Sequence, residues 1–124
     1  MREGIGLYRG KRKDNGEWVY GGFHSRYGRA FIIGISKTLR IGGIEVIPET
    51  VGEYTGLPDK NGKKMFEGDI LKTVMGVGYV VYGKGCFCVQ YKGKSKPAID
   101  IVMHNADVFV IGNIHDNPEL LQNT

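Results

Sequence analysis

The sequence predicts an all-β fold, a small, partly open barrel of short strands with a short C-terminal helix. Three observations carry this. Glycine takes 20 of 124 positions against 4 prolines, about twice its usual share and without a collagen-like period. Strand-length alternation and short apolar runs recur, with no helical period of useful length before the C-terminus. Turn signals, including two Asn-Gly pairs, separate these runs. The chain reads as a single domain over residues 1–124, long enough to bury a core without disulfides. With 41% hydrophobic and 10% aromatic residues, it has enough apolar side chains to exclude wholesale disorder.

The first hairpin is predicted at Lys13-Asp14-Asn15-Gly16, with Ile5–Arg9 pairing against Trp18–Phe23. Asn-Gly favours a type I′ turn because both central residues need positive φ. Ala30–Ile35 reads as a buried strand by its apolar run, and Ile44–Ile47 as another that Pro48 ends or places at an edge. A second Asn-Gly turn, Asp59-Lys60-Asn61-Gly62, separates Glu53–Leu57 from Lys64–Phe66. Glu67-Gly68-Asp69 turns into Ile70–Val74, and Gly76-Val77-Gly78 marks a bend. Tyr79–Tyr82 runs through Gly83-Lys84-Gly85 into Cys86–Tyr91, where Phe87, Val89 and Tyr91 share one face and Cys86, Cys88 and Gln90 the other. Lys92–Pro97 reads as an exposed loop, and Ala98–Met103 fits either a strand or a short helix. Asp107–Gly112 is a strand, and Ile111–Ile114 is expected to close the barrel. Asn117 as N-cap, Pro118 at the first helical position and Glu119 in the first turn start the C-terminal helix.

The net charge is +4, and its distribution is uneven. Arg9, Lys11, Arg12 and Lys13 crowd the beginning, while Lys92, Lys94 and Lys96 form a second basic group. Together they are candidate nucleic-acid contacts, since clustered cations attract a phosphate backbone. The competing reading is a solvated surface, with the later lysines deterring unwanted strand pairing. Cys86 and Cys88 offer half of a tetrahedral zinc site. No usual zinc spacing joins them to His24, His104 or His115, so two core-facing thiols in a reducing compartment are expected, with no metal. Glu67 and Asp69 could work as paired carboxylates or bind Mg²⁺, but no third ligand or base partner accompanies them, and ordinary turn chemistry at a strand entry is the expected reading. Neither a phosphate-binding loop nor a hydrolase or zinc-protease motif occurs. Catalytic residues and cofactors are therefore expected to be absent. The longest apolar runs fall far short of a membrane span and the start lacks an apolar signal core, so a soluble, cytoplasmic protein is expected.

Three segments carry a resemblance. They are Leu7–Val19, reading Leu7-Tyr8-Arg9-Gly10-Lys11-Arg12 and then Asp14-Asn15-Gly16-Glu17-Trp18-Val19; the long stretch Val46–Ile70, with Tyr54-Thr55-Gly56-Leu57-Pro58-Asp59-Lys60-Asn61-Gly62 at its centre; and Val110–Leu121, with Ile111-Gly112-Asn113-Ile114-His115-Asp116. In order, these resemble the YopX family of phage and prophage proteins from Gram-positive bacteria, over essentially the whole chain. Glu53 stands where that pattern would have glutamine, and His115 where it often has tyrosine. The resemblance implies a β-rich, barrel-like fold, a phage or prophage origin and a location in the bacterial host's cytoplasm. It implies no activity and supplies no catalytic residues.

Within the central segment, Tyr54, Thr55, Asp59 and Asn61 are the candidate binding residues, because turn-dense loops on a rigid base are where recognition is commonly placed. The alternative is that this segment specifies the fold, with Thr55 and Asp59 bonding local backbone. The functional expectation is a non-enzymatic protein-interaction or self-assembly module, with a phage or host protein or a second copy as partner. Nucleic-acid binding through the two basic groups is the alternative.

Overall fold

A computed structural model describes residues 4–34, 43–83, 85–98 and 107–122, without the side chains of 4–6 and 34. These residues form eleven strands and two short 3₁₀ turns. The all-β expectation is met. Two compact units divide the chain, Met1–Tyr54 and Thr55–Thr124, each with its own core.

The first unit contains β1 (Gly4–Lys11), β2 (Trp18–Arg26), β3 (Arg29–Gly34), β4 (Ile44–Val46) and the start of β5 (Gly52–Pro58). Sheet order is β4-β3-β2-β1-β5, all antiparallel. The sheet curls until β4 meets the chain just past β1. Arg12 bridges Val46, Ile47 N–H donates to Lys11 O at 2.8 Å, and Lys13 N–H donates to Glu45 O at 3.1 Å. Gly10 permits this closure, since a Cβ there would lie 2.8 Å from Val46 Cγ2. Period-two alternation sends Val19 and Phe23 inward, where they meet Tyr8, Ala30, Ile32, Val46 and Val51. Tyr8 and Phe23 hold their rings 5.4 Å apart. Pro48 ends β4 as expected and opens a 3₁₀ turn, Pro48–Thr50. Thr50 Oγ1 accepts Lys11 N–H at 2.9 Å and donates to Ile47 O at 2.6 Å.

The predicted first hairpin is present, with Lys11 opposite Trp18 and Gly10 opposite Val19. Its turn differs from the expectation. Gly16 has φ +74°, but Asn15 is not left-handed. Arg12 N–H donates to Glu17 O at 2.8 Å and Gly16 N–H to Arg12 O at 3.0 Å. Four residues thus lie between the paired ends, which removes the need for two consecutive positive φ values. A two-residue turn with both residues left-handed occurs elsewhere, at Tyr27 (φ 52°) and Gly28 (φ 76°) between paired Arg26 and Arg29.

The second unit contains the later part of β5, then β6 (Lys64–Phe66), β7 (Asp69–Thr73), β8 (Gly76–Gly83), β9 (Cys86–Tyr91), β10 (Lys94–Pro97) and β11 (Phe109–Asn113). Five strands form an antiparallel sheet in the order β10-β9-β8-β7-β11, and β6 lies beside β5. Met65, Leu71, Val80, Val89, Tyr91, Ala98 and Val108 form the core, with Leu57, Phe87 and Val110 against it. Tyr91 Oη and Thr73 Oγ1 share a buried 2.8 Å hydrogen bond.

Four expectations are corrected here. Gly76–Gly78 is no bend: β8 begins there, and the turn is Val74–Met75. Gly78 serves close packing instead, since a Cβ would come within 2.8 Å of Gln90 O and Val89 Cγ1. The supposed loop 92–97 folds as edge strand β10 after a turn at Lys92–Gly93. An edge strand is paired on one side and half-solvated, so it forms without an apolar pattern. Ile111–Ile114 does not close a barrel; β11 pairs with β7, and the curled closure belongs to β4 in the first unit. Finally, the C-terminal helix is a single 3₁₀ turn, Pro118–Leu121. Asn117 Oδ1 accepts Asn113 N–H at 3.2 Å rather than capping its own turn. One turn fixes several residues for few hydrogen bonds, so it does not propagate. The ambiguous Ala98–Met103 segment lies, past Ala98, outside the described residues.

Candidate functional site

The central segment is built around one carboxylate. Asp59 is 7% exposed. Its Oδ1 accepts N–H from Asn61 (2.8 Å) and Lys63 (2.9 Å), and its Oδ2 accepts Val110 N–H (3.0 Å). Lys60 N–H donates to Val108 O at 2.9 Å. The turn is thereby pinned along the start of β11. Thr55 Oγ1 accepts Leu57 N–H at 3.1 Å within its own strand. Of the four candidate binding residues, Asp59 and Thr55 are therefore committed to backbone, Tyr54 and Thr55 are half-buried, and Asn61 stands exposed at the turn. Tyr54 ends the first unit, whereas Thr55, Asp59 and Asn61 belong to the second.

The early basic group is also largely engaged. Arg9 is 6% exposed, with its guanidinium 4.6 Å from the Trp18 ring centre, and Lys11 Nζ lies 5.9 Å from the same ring. Arg12 forms a two-pronged pair with Asp14 at 2.9 and 2.8 Å. This raises the Arg12 pKa and lowers that of Asp14, chiefly through the side-chain hydrogen bond. Lys13 reaches Glu45 at 3.3 Å, and Arg29 grips the same carboxylate at 3.0 and 2.8 Å. Hydrogen bonding from Arg29 first, then Lys13, holds Glu45 at a pKa of about 2 against the opposing cost of desolvation. Lys92, Lys94 and Lys96 are all exposed, with Lys94 and Lys96 on the same side of β10 and Lys92 in the turn. The two basic groups belong to different units.

Sequence reasoning missed the outer face of the first unit. Along β2, Trp18, Tyr20, Gly22 and His24 point away from the core residues Val19 and Phe23. Ile33 lies opposite Gly22, and Phe31 opposite His24. Tyr20 and Ile33 are 49% and 43% exposed. Arg29 sits 5.3 Å from the Phe31 ring centre, and Tyr27, at the adjoining turn, is 90% exposed. Alternation along β2 was the available signal, but it does not state which face meets solvent. In the second unit, an open groove of about 390 Å³ is lined by Val77, Tyr79, Gln90, Tyr91, Lys92 and Leu121.

The other candidates resolve as follows. Asp69 is 2% exposed and accepts Phe66 N–H at 2.8 Å, stapling the Phe66–Asp69 turn. That is the turn role foreseen for it. The two thiols do not face the core. Cys86 is exposed and Cys88 half-buried, because the bulkier Phe87, Val89 and Tyr91 occupy the inner face of β9. His24 is exposed and His115 half-buried, while His104 lies outside the described residues. Among the described residues no three His, Cys, Asp or Glu side chains gather as a metal site. Nor is any helix there long and apolar enough to cross a membrane.

Comparison with known proteins bears on the family and the fold. The family model described as YopX protein matches residues 7–122. The crystal structure of protein EF1440 from Enterococcus faecalis is similar to this fold, with TM-score 0.59 and 24% identity, covering 94% of this chain and 98% of that one. No curated protein matches.

Proposed function

The chain belongs to the YopX family, and from that premise we propose a phage- or prophage-encoded accessory protein that works in the host cytoplasm. It performs no catalysis and acts as a self-assembling interaction module. The supporting observation is that exposed Tyr20 on β2 and exposed Ile33 on β3, which lies opposite Gly22, share the outer face of the sheet. Large apolar side chains left exposed on one sheet face are where a contact surface would form. Further along the same face, from His24 and Phe31 outward, lie both signs of charge, Arg26 and Arg29 against Glu45. A face with an apolar centre and both charge signs can pair with its own copy about a two-fold axis.

A face serves better here than an edge. Edge strand β10 carries two lysines and a proline, features that deter strand addition. The start of β11 is already bonded by Asp59 and Lys60. Light scattering coupled to size-exclusion chromatography tests the reading. The wild-type chain elutes as an oligomer, and Tyr20→Glu with Ile33→Lys reduces it to a monomer without lowering Tm. A monomeric wild type at high concentration overturns the proposal.

The second reading is nucleic-acid binding. It is favoured by the exposed Lys92, Lys94 and Lys96 at β10 and its turn, with phosphate as the complementary charge. Fluorescence anisotropy with short DNA and RNA would show binding at low salt that falls steeply as salt rises. No binding at low salt removes this reading.

A further inference from the structure

Cys86 and Cys88 lie two residues apart on the solvent side of β9, their Sγ atoms 3.5 Å from each other. β9 pairs with β8 from Cys86 to Gln90, and from Cys88 onward also with β10, so Cys86 is held on one side and Cys88 on both. Cys86 stands opposite Gly83, where even an added Cβ would meet nothing within 4 Å. Cys88 sits between Val81 and Pro97. The pair is therefore reachable from solvent across a glycine and fixed in spacing by the sheet.

Two chemistries compete for such a pair. A disulfide requires the Cα atoms to lie about 4.4–6.8 Å apart, and commonly near 5.5–6 Å. Two residues of strand span roughly 6.7 Å, at the limit of that range, and pairing of Cys86, Phe87 and Cys88 with β8 resists shortening. Metal chelation needs no shortening. Two Zn–S bonds of about 2.3 Å across a 3.5 Å separation enclose an angle of roughly 100°, close to tetrahedral. A linear two-thiolate ion would instead require the sulfurs to move apart.

We infer that Cys86 and Cys88 form a two-thiolate half-site for a tetrahedral, thiophilic divalent cation of the zinc class. Each thiol releases its proton to solvent as its sulfur binds the ion. The two remaining positions are filled by water or by another molecule, since no third protein ligand gathers there among the described residues.

The test uses the full reduced chain under argon, with cobalt(II) as the spectroscopic probe. Titration produces a thiolate-to-cobalt charge-transfer band that excess zinc abolishes. Cys86→Ser and Cys88→Ser each lose the band and weaken binding at least ~10-fold, since one thiolate cannot chelate. Both variants keep the wild-type Tm, because neither side chain lies in the core. Absence of the band in the wild type, or its survival in either serine variant, overturns the assignment.

Discussion

The two Asn-Gly turns use the same local chemistry for different ends. In both, glycine is left-handed, with φ +74° at Gly16 and +82° at Gly62, while the asparagine is not. The first turn is trimmed by an exposed pair, Arg12 with Asp14 two residues away. The second is organised by buried Asp59, whose carboxylate spans 51 residues of sequence to reach Val110. One turn closes a hairpin; the other joins a hairpin to a distant strand. The placement of the aspartate separates them. Asp14 lies at the solvent-facing tip, whereas Asp59 precedes its turn and is itself buried between exposed Pro58 and Lys60.

Breaking the Asp59 clip should have the largest effect. Asp59→Ala leaves three backbone N–H groups without their acceptor, at a cost of about 3 kcal/mol, read by urea denaturation. Asp59→Asn should fall between, since its oxygen still accepts at one site but its NH₂ opposes a second donor. A cost within 0.5 kcal/mol for alanine would remove the contrast between the turns.

The glycines sharpen the comparison. Neither position is crowded: nothing lies within 4 Å of a Cβ at Gly62, and only Lys11 Cε, at 4.0 Å, does at Gly16. Gly16→Ala and Gly62→Ala should therefore each cost about 1–2 kcal/mol from backbone strain alone, and by equal amounts. Unequal losses would mean that turn context, rather than φ, sets the penalty.

The smallest effect concerns the link from the first turn to β4. Glu45, held by Arg29 and Lys13, has its pKa lowered from 4.5 to about 2. A depressed carboxylate adds stability above its unfolded pKa and loses it as pH falls through the folded value. Thermal melts from pH 5 to 2 should decline for the wild type across the window from 4.5 toward 2. Glu45→Gln should flatten that decline, most visibly at low salt. Parallel curves would dissociate Glu45 from acid sensitivity.

Most strand positions were legible because alternation survives there, and β9 was read to the residue. The two Asn-Gly turn positions were legible too, but their turn type was not, and the turn expected at Gly76–Gly78 lies at Val74–Met75. Asn15-Gly16 carries the usual signal for two left-handed residues, and the chain satisfied it with a longer loop. Tyr27-Gly28 carries no Asn or Asp, yet the pairing of Arg26 with Arg29 forces Tyr27 to φ 52°. β10 was hidden because Lys94-Ser95-Lys96 has no apolar half. The parity of Cys86 and Cys88 was legible, but their face was decided by competition with Phe87, Val89 and Tyr91 for the interior. In the central segment, the sequence supported both a binding and a fold-specifying role. The geometry assigns Asp59 to the second, through Val110, a partner no local pattern names.

That long reach also orders events during synthesis. Every strand pairing among β1 to β4 is available once about fifty residues have emerged. The Asp59 carboxylate must instead wait for Val110, 51 residues later, or roughly 3–10 s at translation rates of 5–20 residues per second. Until then its charge stays hydrated and the edge it will cover does not yet exist. During that interval the strands made after Tyr54 still await β11, and a chaperone or a second ribosome's product has access to them.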